Sequence, residues 1–92
     1  MLVTVGGKKW NMLFAPTPGC DGECDPPNKK KKQIRLPARL KRDQRRLLTV
    51  ILHECLHASD WSKDESWVEP IAEDLARILW RTGFRLSEPK EL

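Results

Sequence analysis

The sequence predicts an α+β fold: a short antiparallel sheet of two or three strands, packed on one helix, with a second helix returning beside it. Three observations predict this. Residues 1–40 hold short β-type runs broken by prolines and glycines. Residues 41–60 carry apolar side chains at helical spacing, and residues 62–83 do so again after a polar break. At 92 residues the chain has the length of one domain, 1–92.

Leu2 to Val5 and Trp10 to Phe14 read as strands, with Gly6-Gly7 as the tight turn between them. The next segment contains Pro16, Pro18, Gly19, Gly22, Pro26 and Pro27 and reads as loop. Its tip, Cys20-Asp21-Gly22-Glu23-Cys24-Asp25, is acidic. Gln33 to Leu36 alternates polar and apolar residues, as a third strand would, and Pro37 ends it. Asp43 is an N-cap for a helix reaching about Ser59, with Leu47, Leu48, Ile51, Leu52, Cys55 and Ala58 as its apolar stripe. Ser62 followed by Glu65 has the capping-box pattern for the second helix. Val68, Ile71, Ala72, Leu75 and Leu79 form its apolar face, and Gly83 stops it. Pro70 is expected to kink or restart that helix. Trp10, Trp67 and Trp80 are expected in the core and at helix contacts, and Trp61 as the wall of a substrate pocket.

No run approaches the roughly 20 apolar residues of a membrane span. Met1 to Pro16 has Lys8 and Lys9 in place of a continuous apolar segment, so no signal peptide is expected and a cytoplasmic location is. The three cysteines, Cys20, Cys24 and Cys55, are then expected as reduced thiols, with Cys55 a small buried side chain. Charge is uneven. Lys29 to Arg46 holds ten of the 17 basic residues and one acid, Asp43, whereas residues 47–92 carry nine acids against five bases. The basic segment is either a solvated surface or a face for an acidic partner or nucleic acid. No aromatics alternate with those bases, which argues against a single-strand stacking platform.

His53-Glu54-Cys55-Leu56-His57 matches H-E-x-x-H. Four residues are slightly more than one helical turn, so both imidazoles project from one side and meet one zinc ion at about 2.0–2.1 Å. Zinc lowers the pKa of a water it binds to about 7. Glu54, one residue along, is placed to take that water's proton as a general base and to pass it to a leaving amine. The chain has only two histidines, so the third ligand must be a carboxylate or a thiolate. For two antiparallel helices turning near Trp61-Ser62, the position opposite the histidine pair is about 68. Glu69 is the nearest carboxylate, and Glu65, one turn away on the same side, is the alternative. Asp60 suits a helix end.

With Glu69-Pro70-Ile71-Ala72-Glu73-Asp74-Leu75-Ala76 following it, the motif resembles the gluzincin metallopeptidases, particularly the ImmA/IrrE-like group. That group has a second helix reading E-x-x-A-x-x-x-A whose first Glu binds zinc. The run from Leu48 to Arg85 is also similar to small H-E-x-x-H proteins encoded by phages and prophages. The resemblance covers about the last half of the chain. It implies a minimal zincin-like domain, zinc held by His53, His57 and Glu69, and hydrolysis of peptide bonds with Glu54 as base. An oxyanion donor is not obvious, since the chain has no Tyr and no spare His. Arg46 or a strand-edge N–H are the candidates. Gln33 to Leu36 is the expected edge for pairing with a substrate backbone.

A different class of function is also open. Cys20, Cys24, His53 and His57 are a Cys2His2 donor set, which would make a zinc-stabilised module for nucleic acid or a partner, without catalysis. The 28 residues between the two pairs exceed ordinary finger spacing.

Overall fold

The computed structural model describes residues 1–87; residues 88–92, counted in the single domain by sequence, lie outside the described residues. The fold is α+β: a four-stranded mixed sheet and two helices. β1 (Leu2–Val5) and β2 (Lys8–Phe14) form the expected hairpin. Gly6 and Gly7 both have positive φ, 57° and 78°, the backbone that a type I′ turn requires and side chains disfavour. β3 (Glu23–Cys24) and β4 (Gln33–Leu36) complete the sheet in the order β1-β2-β4-β3.

Two expectations about the sheet are corrected. It is not wholly antiparallel, because β2 and β4 pair in parallel, Met12 opposite Ile34. The connection between them is long enough to carry the chain back to the starting end before β4 begins. In transit it contributes the short β3, which the Pro- and Gly-rich composition hid. As a result β4 is flanked by β2 and β3 and is not an edge. The free edge beside the helices is β3.

Asp25, immediately after β3, secures this arrangement. Its carboxylate accepts hydrogen bonds from the Gln33 amide (2.9 Å) and the Arg35 guanidinium (2.7 Å), and Lys29 lies 3.4 Å away. Its carbonyl accepts from the Trp10 indole N–H at 3.1 Å. Trp10 is fully buried with Ile34, Leu36 and Leu47 at the centre of the core.

α1 (Gln44–Ser59) begins where expected, with the Asp43 carboxylate accepting from the Arg46 amide. A short 3-10 turn, Ala38–Arg42, precedes it. α2 (Glu65–Arg81) begins later than the Ser62 pattern implied. Asp64 is the cap, accepting from the Trp67 amide, while Ser62 hydrogen-bonds Asp60 inside the turn. α2 runs through Pro70 without a restart. The only helical bond the proline removes is to the Ser66 carbonyl, in an exposed first turn where water can replace it. At the other end Gly83 (φ 97°) donates to Trp80 and Phe84 donates to Leu79, a Schellman closure.

α1 packs on the sheet with one side and on α2 with the other, so its buried positions are Leu47, Val50, Glu54 and Ala58, rotated from the stripe read in sequence. α2 buries Val68, Ala72 and Ala76 against it, and the two alanines let the backbones approach. Of the four tryptophans only Trp10 is buried. Trp61 and Trp67 are partly exposed, and Trp80 is half-covered, with the Arg85 guanidinium stacked 3.4 Å from its ring centre. No described helix is long and apolar enough to cross a membrane.

Buried against Arg35, Asp25 has its carboxyl held down from an ordinary 3.8 to about 2. The Arg35 hydrogen bond dominates, desolvation opposes it, and the Gln33 amide adds to it. A depressed folded-state pKa stabilises the fold above the unfolded value, and the gain disappears as pH falls through about 4 to 2, a difference of about 2 kcal/mol. Asp25→Asn should therefore lower unfolding free energy by about 2 kcal/mol in urea titrations near pH 7, and the gap to wild type should close near pH 2. A gap that does not narrow in acid would show that the ion pair is not its source.

Candidate metal centre and cleft

His53 and His57 lie one turn apart on α1, their ring centres 4.9 Å apart. Both Nε2 atoms point at the first residue of α2. His53 Nε2 is 3.0 Å from Glu65 Oε2, and His57 Nε2 contacts Glu65 Oε1. Donor atoms of these three residues lie within 4.8 Å of one another, the one such His/Cys/Asp/Glu group among the described residues. Ligands at about 2.0–2.1 Å around a tetrahedral zinc would sit about 3.4 Å apart. Two imidazole nitrogens and a carboxylate gathered within 4.8 Å match the donor chemistry of that ion, with the His–Glu65 contacts drawn closer than this spacing.

Glu65, not Glu69, is the carboxylate brought to the pair. The reason lies in the face that α2 presents. Its buried stripe is Val68, Ala72 and Ala76. At about 100° per residue, Glu65 continues this stripe about 20° from its centre, whereas Glu69 lies about 60° to one side. Glu69 lines the same cleft, exposed, one turn beyond the triad. No cysteine belongs to the donor group, so Cys20 and Cys24 do not join the histidines as a Cys2His2 set would require. All three cysteines are free thiols. Burial, then the charges of Glu54, Cys55 and Asp25, pushes Cys24 up to about 12, and burial with Glu54 also raises Cys55. Both therefore stay protonated near neutrality.

Glu54 is 6% exposed and lies on the packed side of α1, next to the triad. Its burial comes from the loop of residues 20–24, which crosses directly over it. A Cβ on Gly22 would stand 2.8 Å from Val50 Cγ1 and 3.0 Å from Glu54 Oε2, so only glycine allows this approach. Desolvation raises Glu54 to about 7, and the negative charges of Glu65 and Glu23 add to the rise while Arg35 opposes it. Glu65 goes the other way: burial pushes it up, but hydrogen bonds and charge from His57 and His53 outweigh this and hold it below its ordinary range.

The loop is itself strapped down. Asp21 accepts from Arg39 (2.7 Å) and from Arg46 (2.5 Å), and these partners lower its pKa. Thr17 Oγ1 donates to the Cys20 carbonyl at 2.9 Å. Arg46 is thus engaged by Asp21. Asp25 N–H donates to Gln33 across the β3–β4 pair, so by antiparallel alternation the Cys24 N–H and C=O point away from β4. These elements enclose a cleft of about 790 Å³, walled by residues 20–24 and by α2, with α1 as the floor and Trp61 at one end. The Trp61 ring stands edge-on, 6.4 Å from that of His57.

Tertiary pairing also divides the basic run. Lys29 and Arg35 pair with Asp25, and Arg39 and Arg46 with Asp21, while Lys32 and Lys41 sit over the rings of Trp10 and Phe14. Lys29 to Arg46 is therefore not one continuous free patch. Compared with family models, curated proteins and solved structures, the chain has no match.

Gly22→Ala should destabilise the fold by about 1–3 kcal/mol, the usual cost of forcing atoms into a packed site. Urea unfolding measures it, and a change below a few tenths of a kcal/mol would mean the loop lifts freely. Zinc at about a hundred times its Kd should add about 2.7 kcal/mol of stability, reversed by a chelator. A melting temperature indifferent to zinc and chelator alike would rule out binding to the folded state.

Proposed function

We propose that this chain is a zinc-dependent peptidase of gluzincin type, with His53, His57 and Glu65 as ligands and Glu54 as general base. The reading rests on one observation above others: two imidazole nitrogens converge on one carboxylate, beside a buried glutamate, on the floor of an open cleft. Zinc held there would supply Lewis acidity, polarising a carbonyl and lowering the pKa of a water to about 7.

The chain's own residues account for the rest. Glu54 is held under the loop at Gly22 and so approaches the reacting centre in one orientation, accepting a proton and later returning it to the leaving amine. The outward N–H and C=O of Cys24 suit an extended peptide laid along β3. Substrate addition thus moves from the Gln33–Leu36 strand, which is interior, to β3.

Metal analysis by mass spectrometry tests the ligand set. One zinc per chain is expected in wild type, Glu54→Gln and Glu69→Gln, and loss or strong weakening in His53→Ala and Glu65→Gln. Zinc lost from Glu69→Gln but kept in Glu65→Gln would reverse the assignment. Glu54→Gln should keep its zinc while peptide hydrolysis falls by about 10²–10⁴-fold. Unaltered turnover in that variant would remove Glu54 from the chemistry.

A further inference from the structure

The parallel pairing of β2 and β4 gathers positive charge at one end of the sheet, away from the cleft. In a parallel pair both strands start at the same end. β2 starts with Lys8 and Lys9, and β4 follows directly on Lys30, Lys31 and Lys32. The register, Asn11 opposite Gln33, extends back to set Lys9 beside Lys31, and the Asn11 amide donates to the Lys32 carbonyl at 3.0 Å. Two lysine runs about twenty residues apart in the chain thus share one end of the sheet. An antiparallel pairing would have put them at opposite ends.

No acid answers this charge. Among the described residues, Lys8, Lys9, Lys30 and Lys31 are exposed and have no ion-pair partner, while Lys32 is held over the Trp10 ring. Lys9, Lys31 and Lys32 line a groove of about 530 Å³ with Leu2, Asn11 and Gln33, and no carboxylate lines it. The groove lies on the face of the sheet that no described helix covers. Trp10, Met12 and Ile34 turn to the core, so by alternation Lys9, Asn11 and Gln33 turn the other way. Lysines set side by side repel, and folding holds them together against that repulsion. Lys31 also adopts φ 52°, the one positive φ on a non-glycine residue among the described residues. Glycine would take that conformation without steric cost. A strained lysine within a group of unanswered charges marks a place shaped for an anion.

We propose that this lysine face binds the phosphate backbone of duplex nucleic acid without reading its sequence. An array of phosphates is matched by point charges on flexible stems, and releasing its counterions drives the binding. A protein partner would need an apolar anchor, usually aromatic, and this face offers only Leu2 and the half-buried Leu13. No aromatic side chain stands on it for a base to stack on, which favours a duplex over a single strand. α2, with its exposed acids Glu69, Glu73 and Asp74, packs on α1 and so lies across the sheet from the groove. A bound duplex therefore meets the lysines and not these acids. The metal centre lies on the helix side as well, so the lysine face and the cleft are open at the same time.

The test is fluorescence anisotropy on the full chain with a short labelled DNA duplex of mixed sequence. Chelator is present throughout, so the outcome does not depend on zinc. Affinity should fall about 10²-fold between roughly 50 and 200 mM salt, the dependence for about four phosphate contacts. Lys9→Gln with Lys31→Gln should weaken binding about tenfold or more and flatten the log–log salt slope by about two. Arg77→Gln with Arg81→Gln, the same loss of charge on α2, should leave that slope unchanged. Lys31→Gly should unfold in urea no more easily than wild type and still flatten the slope by about one, which separates lost charge from lost fold. Binding indifferent to salt, or equal weakening by the two double variants, would overturn the proposal. A polyglutamate peptide that binds more tightly than the duplex would also overturn it and assign the face to an acidic protein. None of these outcomes bears on the peptidase reading, which does not use this surface.

Discussion

Asp25 accepts from the Gln33 amide and the Arg35 guanidinium while its own carbonyl takes the Trp10 indole N–H. A single residue thus ties the end of β3 to β4 and to the most deeply buried side chain of the sheet. A loop rich in proline and glycine has few backbone bonds of its own and would otherwise wander. Held at Asp25, and at Asp21 by Arg39 and Arg46, it must cross α1 at Gly22. Everything on the sheet side of the cleft follows from that crossing: the burial of Glu54, the outward turn of Cys24, and the free edge of β3.

Burying Glu54 works against ionisation, and no cation contacts it to compensate. A carboxyl in such a place is retained at a cost to stability, which packing elsewhere must offset. The offset is visible in the small-residue stripe of α2, where Ala72 and Ala76 allow close approach to α1, and in the sheet core around Trp10, which includes Ala58. The same packing turns α2 so that Glu65, on the buried stripe, meets the histidines, and Glu69 and Glu73 are left along the wall.

Charge behaves similarly. A run of ten basic residues suggests one electrostatic surface when read along the chain. In three dimensions Asp21 and Asp25, outside that run, draw four of its members into ion pairs. Partly buried carboxylates set the local field here more than the count of lysines does.

The sequence by itself determined the α+β class, the hairpin at Gly6-Gly7, the start of α1 at Asp43, the end of α2 at Gly83, and the placing of His53 and His57 on one side of a helix. These are local matters of backbone conformation and of a period of 3.6 residues, and both are written in neighbouring residues. Tertiary structure decided the rest. The β2–β4 pairing is parallel and β3 is the edge because a long connection chose its own return path. Glu65 in place of Glu69 depended on the rotation of α2 about its axis, fixed by which face packs against α1. The burial of Glu54 depended on a loop some thirty residues earlier in the chain. Helical spacing tells which side chains share a face, but what covers that face is settled only when the whole chain has packed.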